Sequence, residues 1–386
     1  MKSEKRMPTP NVPAKEELPA DEPMGALEPV AYFDGAMPTG VTISQKQGRI
    51  FVNFPRWGDD VPFTVAEIRD GKAIAYPDEA INQTDQNDQA AALVSVQSVV
   101  IDPADRLWIL DTGSPMFQPI MYGGPKLVCV DLNTDKVIRK ILFPQDVALP
   151  TTYLNDVRFD LRRGSEGMAF ITDSSQNGPN GIIVVDLASG KSYRRLHDHP
   201  STKAEQIQTF LPIVEGRPLL EHQPDGSVKQ GAGMGADGIA ISSDGARLYY
   251  CPLGSRKLYS VDTDALADQS LGDREKVGVT VNDEGDRGGA ADGLESDAAG
   301  YIYSTNYEHN AILRRRSGGG QWETIAHDPR LLWPDTLSLA ADGYLYVTAN
   351  QLHRQARFHK GHDLRRKPYT LSVSASTLSL SCCGNK

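Results

Sequence analysis

The chain has 386 residues, of which 39% are hydrophobic and 23% charged, and its net charge is −10. This length fits two ordinary domains or one large all-β or repeat domain. The acidic balance argues against nucleic acid or an anionic membrane surface as the main partner. The 35 glycines and 25 prolines favour many short strands joined by tight turns over a helical bundle.

The two ends of the chain differ in composition from the rest. Residues 1–28 carry five prolines among Lys, Glu and Ala. This segment has too little apolar surface to offset the entropy of ordering, so a disordered Pro-rich tail is predicted there. It shows no apolar core of a signal peptide, and the chain has no apolar run near the roughly 18 residues of a membrane span. Residues 375–386 read as a low-complexity tail, and no membrane insertion is predicted.

A repeated pattern occupies residues 29–374. Each copy has an alternating apolar strand, a Gly/Asp/Pro turn and a second strand with an aromatic residue near its start. Most copies continue into a second hairpin, and four strands per repeat are typical of propeller blades. The sequence therefore predicts an all-β, six-bladed β-propeller with four-stranded antiparallel blades around a central channel. The six copies begin at Thr39, Gln97, Asn155, Asp237, Asp292 and Asp335.

Two segments complete this predicted ring, and one interrupts it. KPYTLSV (367–373) is predicted to be the third strand of the last blade. PVAYFDG (29–35) is predicted to close the same blade, which would remove an exposed sheet edge. Residues 197–234 fit no blade and are predicted to form an inserted loop or lid on one face.

The dipeptide Asp-Gly occurs twice in GADGIAISSDGARLYYCP (235–252). Asp244-Gly245 falls between the first and second strands, where a tight hairpin turn favours this pair. Asp237 instead begins the first strand, which in a propeller lines the channel. The two aspartates are therefore predicted to have different roles, one in a turn and one in a site.

The six repeat starts all carry side-chain oxygens and are expected to converge at one channel mouth. Three neighbouring carboxylates repel one another, and burial raises the pKa of each unless something compensates. A hard divalent cation, above all Ca²⁺, would relieve this. The alternative is that these side chains bond backbone groups at strand starts. The predicted metal ligands are Asn155, Asp237, Asp292 and Asp335.

The second strands end in polar residues that form either an outer ring at the same mouth or simple strand-end caps. These residues are Asn53, Asp111, Asp173, Asn306 and Asn350. Aromatic residues that follow some of these ends would wall the mouth, and rings with carboxylates suit an amine or an aromatic small molecule. The predicted ligand-binding residues are Thr39, Gln97, Asp335, Phe54, Trp57, Asn306, Tyr307 and Asn350.

The basic loop QLHRQARFHKGHDLRRKP (351–368) contains three histidines. Their spacing fits no common zinc pattern. The interpretation from the sequence is a solvated loop whose arginines pair with the acidic surface.

The chain resembles the Yellow/major royal jelly protein family in a set of motifs that spans about residues 30–370. The resemblance implies a six-bladed propeller and usually secretion, hence an extracellular or periplasmic location. With no signal peptide visible, a cytoplasmic location stays open. Some members are linked to dopachrome conversion, some bind biogenic amines, and many have no known reaction. The motifs are FPRW (54–57), LWILDTG (107–113), LNDVRFD (154–160), ADGIAISSDGARLYYCPL (236–253), ADGLESD (291–297) and ANQLHRQ (349–355).

A more distant similarity is to the gluconolactonase/senescence-marker propellers, which are metal-dependent lactonases. Their metal-ligating Asn and Asp match Asn155 and Asp237, and a substrate-contacting Asn matches Gln97. Their remaining ligand is a Glu in the first blade, where this chain has Thr39. This chain thus lacks one of the ligands on which metal binding, and with it lactonase activity, depends in those propellers.

Three hypotheses follow from the sequence. The first is a small-molecule-binding propeller whose ligand is an aromatic amine, a catechol or a lactone. The second is a metal-assisted hydrolase or isomerase in which Asp237 or Asp292 acts as the base. The third is a scaffold propeller that binds protein.

Overall fold

The computed structural model describes residues 21–84, 88–223 and 225–375. Six four-stranded antiparallel sheets follow one another around a ring, which confirms the predicted six-bladed β-propeller. The first strand of each blade is innermost, and neighbouring first strands contact one another around the channel. Residues 1–20 of the predicted Pro-rich tail and residues 376–386 of the predicted C-terminal tail lie outside the described residues.

The strand bounds follow the repeats along the chain. Blade 1 contains Val41–Ile43, Ile50–Asn53, Val65–Arg69 and Lys72–Ala75, and blade 2 contains Val96–Ile101, Leu107–Asp111, Lys126–Asp131 and Lys136–Leu142. Blade 3 contains Leu154–Asp160, Met168–Asp173, Gly181–Asp186 and Ser192–Arg195, and blade 4 contains Ala236–Ile241, Arg247–Pro252, Lys257–Asp262 and Asn282–Asp286. Blade 5 contains Leu294–Ser296, Tyr301–Asn306, Ala311–Arg316 and Glu323–His327, and blade 6 contains Pro334–Leu339, Tyr344–Ala349, Tyr369–Ala375 and Glu28–Phe33.

Blade 6 is built from both ends of the repeat region. Its outermost strand, Glu28–Phe33, pairs antiparallel with Tyr369–Ala375, as the two terminal segments predict. The Thr348 hydroxyl donates to the Thr39 carbonyl at 2.6 Å, which joins blade 6 to blade 1. Because the last blade holds the N-terminal strand, backbone hydrogen bonds between Glu28–Phe33 and Tyr369–Ala375 join the two ends of the repeat region and close the ring.

Apolar side chains fill the spaces between successive blades. Trp108 of blade 2 stacks on Phe159 of blade 3, with ring centroids 5.0 Å apart. Every residue of Leu107–Asp111 is buried, because a blade interior is covered on both faces by its neighbours. This packing holds the inner strands rigidly, so the side chains at their starts have defined positions.

The segment 197–234 interrupts the blade pattern between blades 3 and 4. It contains two short hairpins, Ile213–Val214 with Arg217–Pro218 and Leu220–His222 with Val228–Gln230. Short helical turns occur at Glu79–Asn82, Pro115–Phe117, Pro200–Thr202, Thr263–Ala267, Asp273–Val277, Gly278–Thr280, Leu352–Arg354 and Ala356–Phe358. Within the ranges described, no helix has both the length and the apolar character needed to cross a membrane.

Candidate functional site

Irregular strand pairing turns the repeat-start residues toward the channel. The first strands of blades 2, 3, 4 and 6 each shift register at this point, next to Gln97, Asn155, Asp237 and Asp335. A bulge takes a residue out of the regular ladder and re-aims its side chain. The same backbone irregularity therefore recurs where the repeat places an oxygen-bearing side chain.

Two glycines allow the first strands of blades 4, 5 and 6 to approach closely. A Cβ atom on Gly238 would lie 2.4 Å from the Asp292 carbonyl oxygen, and one on Gly293 would lie 2.3 Å from that of Asp335. Only glycine fits at such distances. The glycine that follows Asp237 or Asp292 thus brings the next blade's aspartate within reach.

The second Asp-Gly pair has the turn role that the sequence predicts. Gly245 has a φ of +76°, and the Asp244 carboxylate accepts from the Ser242 hydroxyl at 2.6 Å and the Ala246 amide at 2.9 Å. Positive φ at the turn favours glycine. The two pairs therefore have different structural causes, a hairpin in one and blade-to-blade contact in the other.

Five of the six repeat-start side chains line one cavity: Gln97, Asn155, Asp237, Asp292 and Asp335. The cavity volume is about 20 Å³, which is room for about one water molecule. Thr39 is buried outside the wall, where its hydroxyl donates to the Gln97 carbonyl at 3.2 Å and accepts from Asn53 Nδ2 at 2.8 Å.

The three buried aspartates hold protons far more strongly than exposed carboxyls do. Burial, then the neighbouring Asp292 charge, raises the pKa of Asp237 well above its usual range. Burial also raises the pKa of Asp292 to about 6, although hydrogen bonds from Trp333 and Asp237 oppose the shift. The pKa of Asp335 is raised by burial and by Asp292. The two carboxyl groups therefore lie close together, and burial favours a protonated Asp237 beside Asp292.

Two further side chains hold the carboxylates from behind. Trp333 Nε1 donates to Asp292 Oδ2 at 2.6 Å, and the Trp333 ring stacks on Tyr307 at 4.0 Å. Asn350 Nδ2 donates to Asp335 Oδ2 at 2.6 Å. Tyr307 and Asn350, predicted as ligand-binding residues, thus lie behind the wall and position its carboxylates.

The oxygen-bearing side chains at the channel mouth do not form a recognisable cation site. The described residues contain no group of three or more His, Cys, Asp or Glu side chains placed to hold a metal ion. Trp333 and Asn350 also direct N–H groups at one carboxylate oxygen each of Asp292 and Asp335. As arranged here, Asn155, Asp237, Asp292 and Asp335 do not fit a metal centre.

Aromatic rings form one side of the cavity. Trp57, Phe117 and Tyr153 stack in sequence, with centroid distances of 5.1 Å and 4.9 Å. The Tyr153 hydroxyl accepts from Trp57 Nε1 at 2.9 Å and donates to Gln97 Oε1 at 3.0 Å. The predicted Trp57 is therefore on the wall, but Phe54 packs away from it on Phe33.

Three residues of the predicted outer polar ring, Asp111, Asp173 and Asn306, make local contacts at the strand ends. Asp111 forms an ion pair with Lys126 at 2.8 Å, and Asp173 forms one with Arg194 at the same distance. Asn306 accepts from the His309 amide at 3.2 Å and does not line the cavity. Backbone and ion-pair contacts therefore use the polar groups of these residues.

Several residues that line or underlie the cavity were not predicted from the sequence. Tyr153 and Phe117 carry no motif of their own, although Tyr153 directly precedes the LNDVRFD segment. Arg357 and Phe358 come from the basic loop that was interpreted as solvated. Below the site, Arg158 donates to Asp156 at 2.9 Å and to the Leu294 carbonyl at 2.6 Å, inside the channel.

The chain is similar in sequence to a known protein family and to several of its curated members. The family model described as major royal jelly protein matches residues 94–376. Major royal jelly protein 7 of Apis mellifera is 27% identical over 60% of this chain and 49% of its own length. L-dopachrome tautomerase yellow-f of Drosophila melanogaster is 25% identical over 82% of this chain and 74% of its own. The chain spans about half the length of the first curated relatives it matches.

Solved structures share the architecture. The calcium-binding protein regucalcin from Agrobacterium tumefaciens superposes with a TM-score of 0.55 and 14% identity, over 91% of this chain and 95% of that one. At this identity the likeness shows the fold alone. The family model, in contrast, covers well over half of the sequence. The chain belongs to the major royal jelly protein family.

Proposed function

We propose that the chain binds an aromatic small molecule of the catechol or indole type at this channel mouth. The observation that carries the proposal is the convergence of Asp237, Asp292 and Asp335 beside the stacked rings of Trp57, Phe117 and Tyr153. The rings supply flat apolar contact, and the carboxyl groups supply hydrogen bonds to ring hydroxyl or amine groups.

Ligand entry requires the closed cavity to open. A ring is far larger than one water molecule, so wall side chains must move outward. Phe117 is the best placed to do so, because it is half-buried and ends a short turn next to exposed Met116. Both residues have left-handed backbone angles, with φ of 53° and 56°, which are costly for such side chains. A ligand ring would take the place of Phe117 against Tyr153.

A second candidate function is proton transfer on the bound ring, as in a tautomerase. The protonated Asp237 beside Asp292 favours it, and a relative covering most of this chain is named L-dopachrome tautomerase. Asp292 would accept a proton from a ring carbon, and Asp237 would donate one to a ring oxygen. The ring loses one proton to Asp292 and gains one from Asp237, so the step balances without an oxidant. A carboxyl pKa near 6 suits this work at neutral pH.

Asp237→Ala, which removes the hydrogen-bonding group, is expected to abolish ring-ligand binding or weaken it at least tenfold. We also expect any dopachrome conversion to fall by about 100-fold or more, since positioned acid–base groups contribute that much. Calorimetric titration with catechols and indoles measures the first effect, and absorbance decay of dopachrome measures the second. Asp244→Ala, in the hairpin turn, is the matched control and is expected to change neither.

Each outcome separates the hypotheses. Equal binding by wild type and Asp237→Ala would place the ligand elsewhere, and no binding at all would favour the protein-binding scaffold. Wild-type protein that leaves the rate of dopachrome decay unchanged would eliminate the tautomerase. An extracellular location, expected from the family resemblance, stays a prediction.

Divalent cations are expected to leave the melting temperature within about 1 °C, because a ligand stabilises only in proportion to its binding. Differential scanning fluorimetry with millimolar Ca²⁺, Mg²⁺, Mn²⁺ or Zn²⁺, against an EDTA control, measures this. A rise of several degrees that Asp292→Asn removes would contradict the expectation. It would restore the metal-dependent, lactonase-like alternative.

A further inference from the structure

One half-buried arginine in the cavity wall, Arg357, lacks the acidic partner that neighbouring arginines have. Arg357 lies in the turn Ala356–Phe358 and lines the same cavity as the aspartates. Its Nε atom is buried without a hydrogen-bond partner. Among the residues that the structure describes, no carboxylate comes within ion-pair distance of its guanidinium.

Aromatic faces hold this guanidinium in place. Its central carbon lies 5.5 Å from the Phe117 ring centroid and 4.6 Å from that of Phe358. Burial lowers the pKa of Arg357, and the charge that most opposes this is Glu221, which is not close enough to pair with it. The two rings orient the group, but they use none of its N–H donors.

Neighbouring arginines in the same loop show the usual arrangement. Arg354 donates to Glu215 at 2.9 Å, and Arg365 pairs with Asp59 at 2.9 Å. Both agree with the sequence interpretation of a loop whose arginines pair with acidic groups. Arg357 is the exception, and its buried Nε–H group without an acceptor is costly unless something else satisfies it.

We infer that Arg357 binds an anionic group of the ligand, so that the ligand class is an aromatic molecule bearing a carboxylate. The inference rests on the proposed function and narrows it. The planar guanidinium can donate two parallel hydrogen bonds to one carboxylate. The ligand ring would lie between this end and the aspartates. Protonated Asp237 and Asp335 reduce the repulsion that the anion would otherwise meet.

The test compares ring ligands that differ in charge. Wild-type protein is titrated with neutral 4-methylcatechol, cationic dopamine and anionic 3,4-dihydroxyphenylacetate at pH 7. We expect the anion to bind about 10- to 100-fold more tightly than the neutral ring, the range for hydrogen bonds to a charged group. Arg357→Met is expected to reduce that ratio to within about twofold, and Arg357→Lys to keep part of it.

Controls separate this contact from general charge effects. Arg366→Met removes one exposed positive charge from the same loop and is expected to keep the wild-type ratio. Glu221→Gln removes the negative charge that acts most strongly on Arg357. It is expected to leave the affinity for the anionic ring at the wild-type value or to increase it. Thermal melts of every variant verify that it is folded.

Other results would overturn the inference. The inference fails if the neutral and anionic rings bind equally, or if dopamine binds more tightly than the anion. It also fails if Arg357→Met keeps the wild-type ratio of anionic to neutral affinity. In each of these cases the proposed ring site still stands. If the wild type binds none of the three compounds, the proposed function fails, and the inference fails with it.

Discussion

Lys126→Met is expected to lower the free energy of unfolding by about 3–5 kcal/mol, the usual cost of breaking a buried ion pair by removing one partner. The Lys126 and Asp111 side chains are both 0% exposed, and Nζ lies 2.8 Å from Asp111 Oδ2. The same ammonium donates to the carbonyls of Gln89 and Gly124 at 2.9 Å. Methionine matches the shape but leaves the carboxylate and these carbonyls without a donor.

Chemical denaturation followed by circular dichroism measures this effect. Lys136→Met, at an exposed position in the outer strand of the same blade, is the control and is expected to change stability by less than about 0.5 kcal/mol. A loss below about 1 kcal/mol for Lys126→Met would show that the ammonium is not buried in this pair.

Asp292→Asn is expected to stabilise the protein at pH 8, on the order of 3 kcal/mol, and to have little effect near pH 4. The folded-state pKa of Asp292 is raised from 3.8 to about 6. A carboxyl with a raised pKa contributes stability below its unfolded pKa, and this contribution is lost as the pH rises through the folded value. A shift of about two pKa units corresponds to a difference on the order of 3 kcal/mol in the free energy of unfolding.

The amide is a close mimic of the protonated carboxyl, and its oxygen can still accept from Trp333 Nε1. The stability difference between variant and wild type should therefore grow between pH 4 and pH 6 and then level off. Asp244→Asn provides the opposite case, because hydrogen bonds from Ser242 and Ala246 lower the pKa of Asp244. Loss of the Asp244 carboxylate should lower the free energy of unfolding slightly, and by the same amount from pH 5 to pH 8. A pH-independent effect of Asp292→Asn would mean that this carboxyl does not titrate in the range.

The Asp292 prediction also bears on function. A group that destabilises the folded state at neutral pH while facing a cavity is typical of a site shaped for a ligand or a reaction. A variant that is more stable at pH 8 but binds ring ligands less well would show that trade-off directly. Equal gains in stability and binding would point to a purely structural carboxyl.

The sequence alone predicted the six-bladed ring and the oxygen-bearing side chains at the starts of its first strands. Periodic strands and turns predicted six blades, the closing strand at 29–35 and the separate roles of Asp237 and Asp244. These features depend on local patterns that recur along the chain, so they are visible without coordinates. The repeat also placed Gln97, Asn155, Asp237, Asp292 and Asp335 in one group, and the structure brings all five to one cavity.

Only the tertiary structure decided which polar groups face the cavity and which are used elsewhere. Thr39 occupies the same repeat position as Asp237, yet its hydroxyl is bonded to a neighbouring backbone. Asn350 and Tyr307 lie behind the wall, whereas Arg357 reaches it from a loop with no motif. Side-chain direction and hydrogen-bond partners depend on contacts between residues far apart in the chain. A repeat pattern carries no record of those contacts.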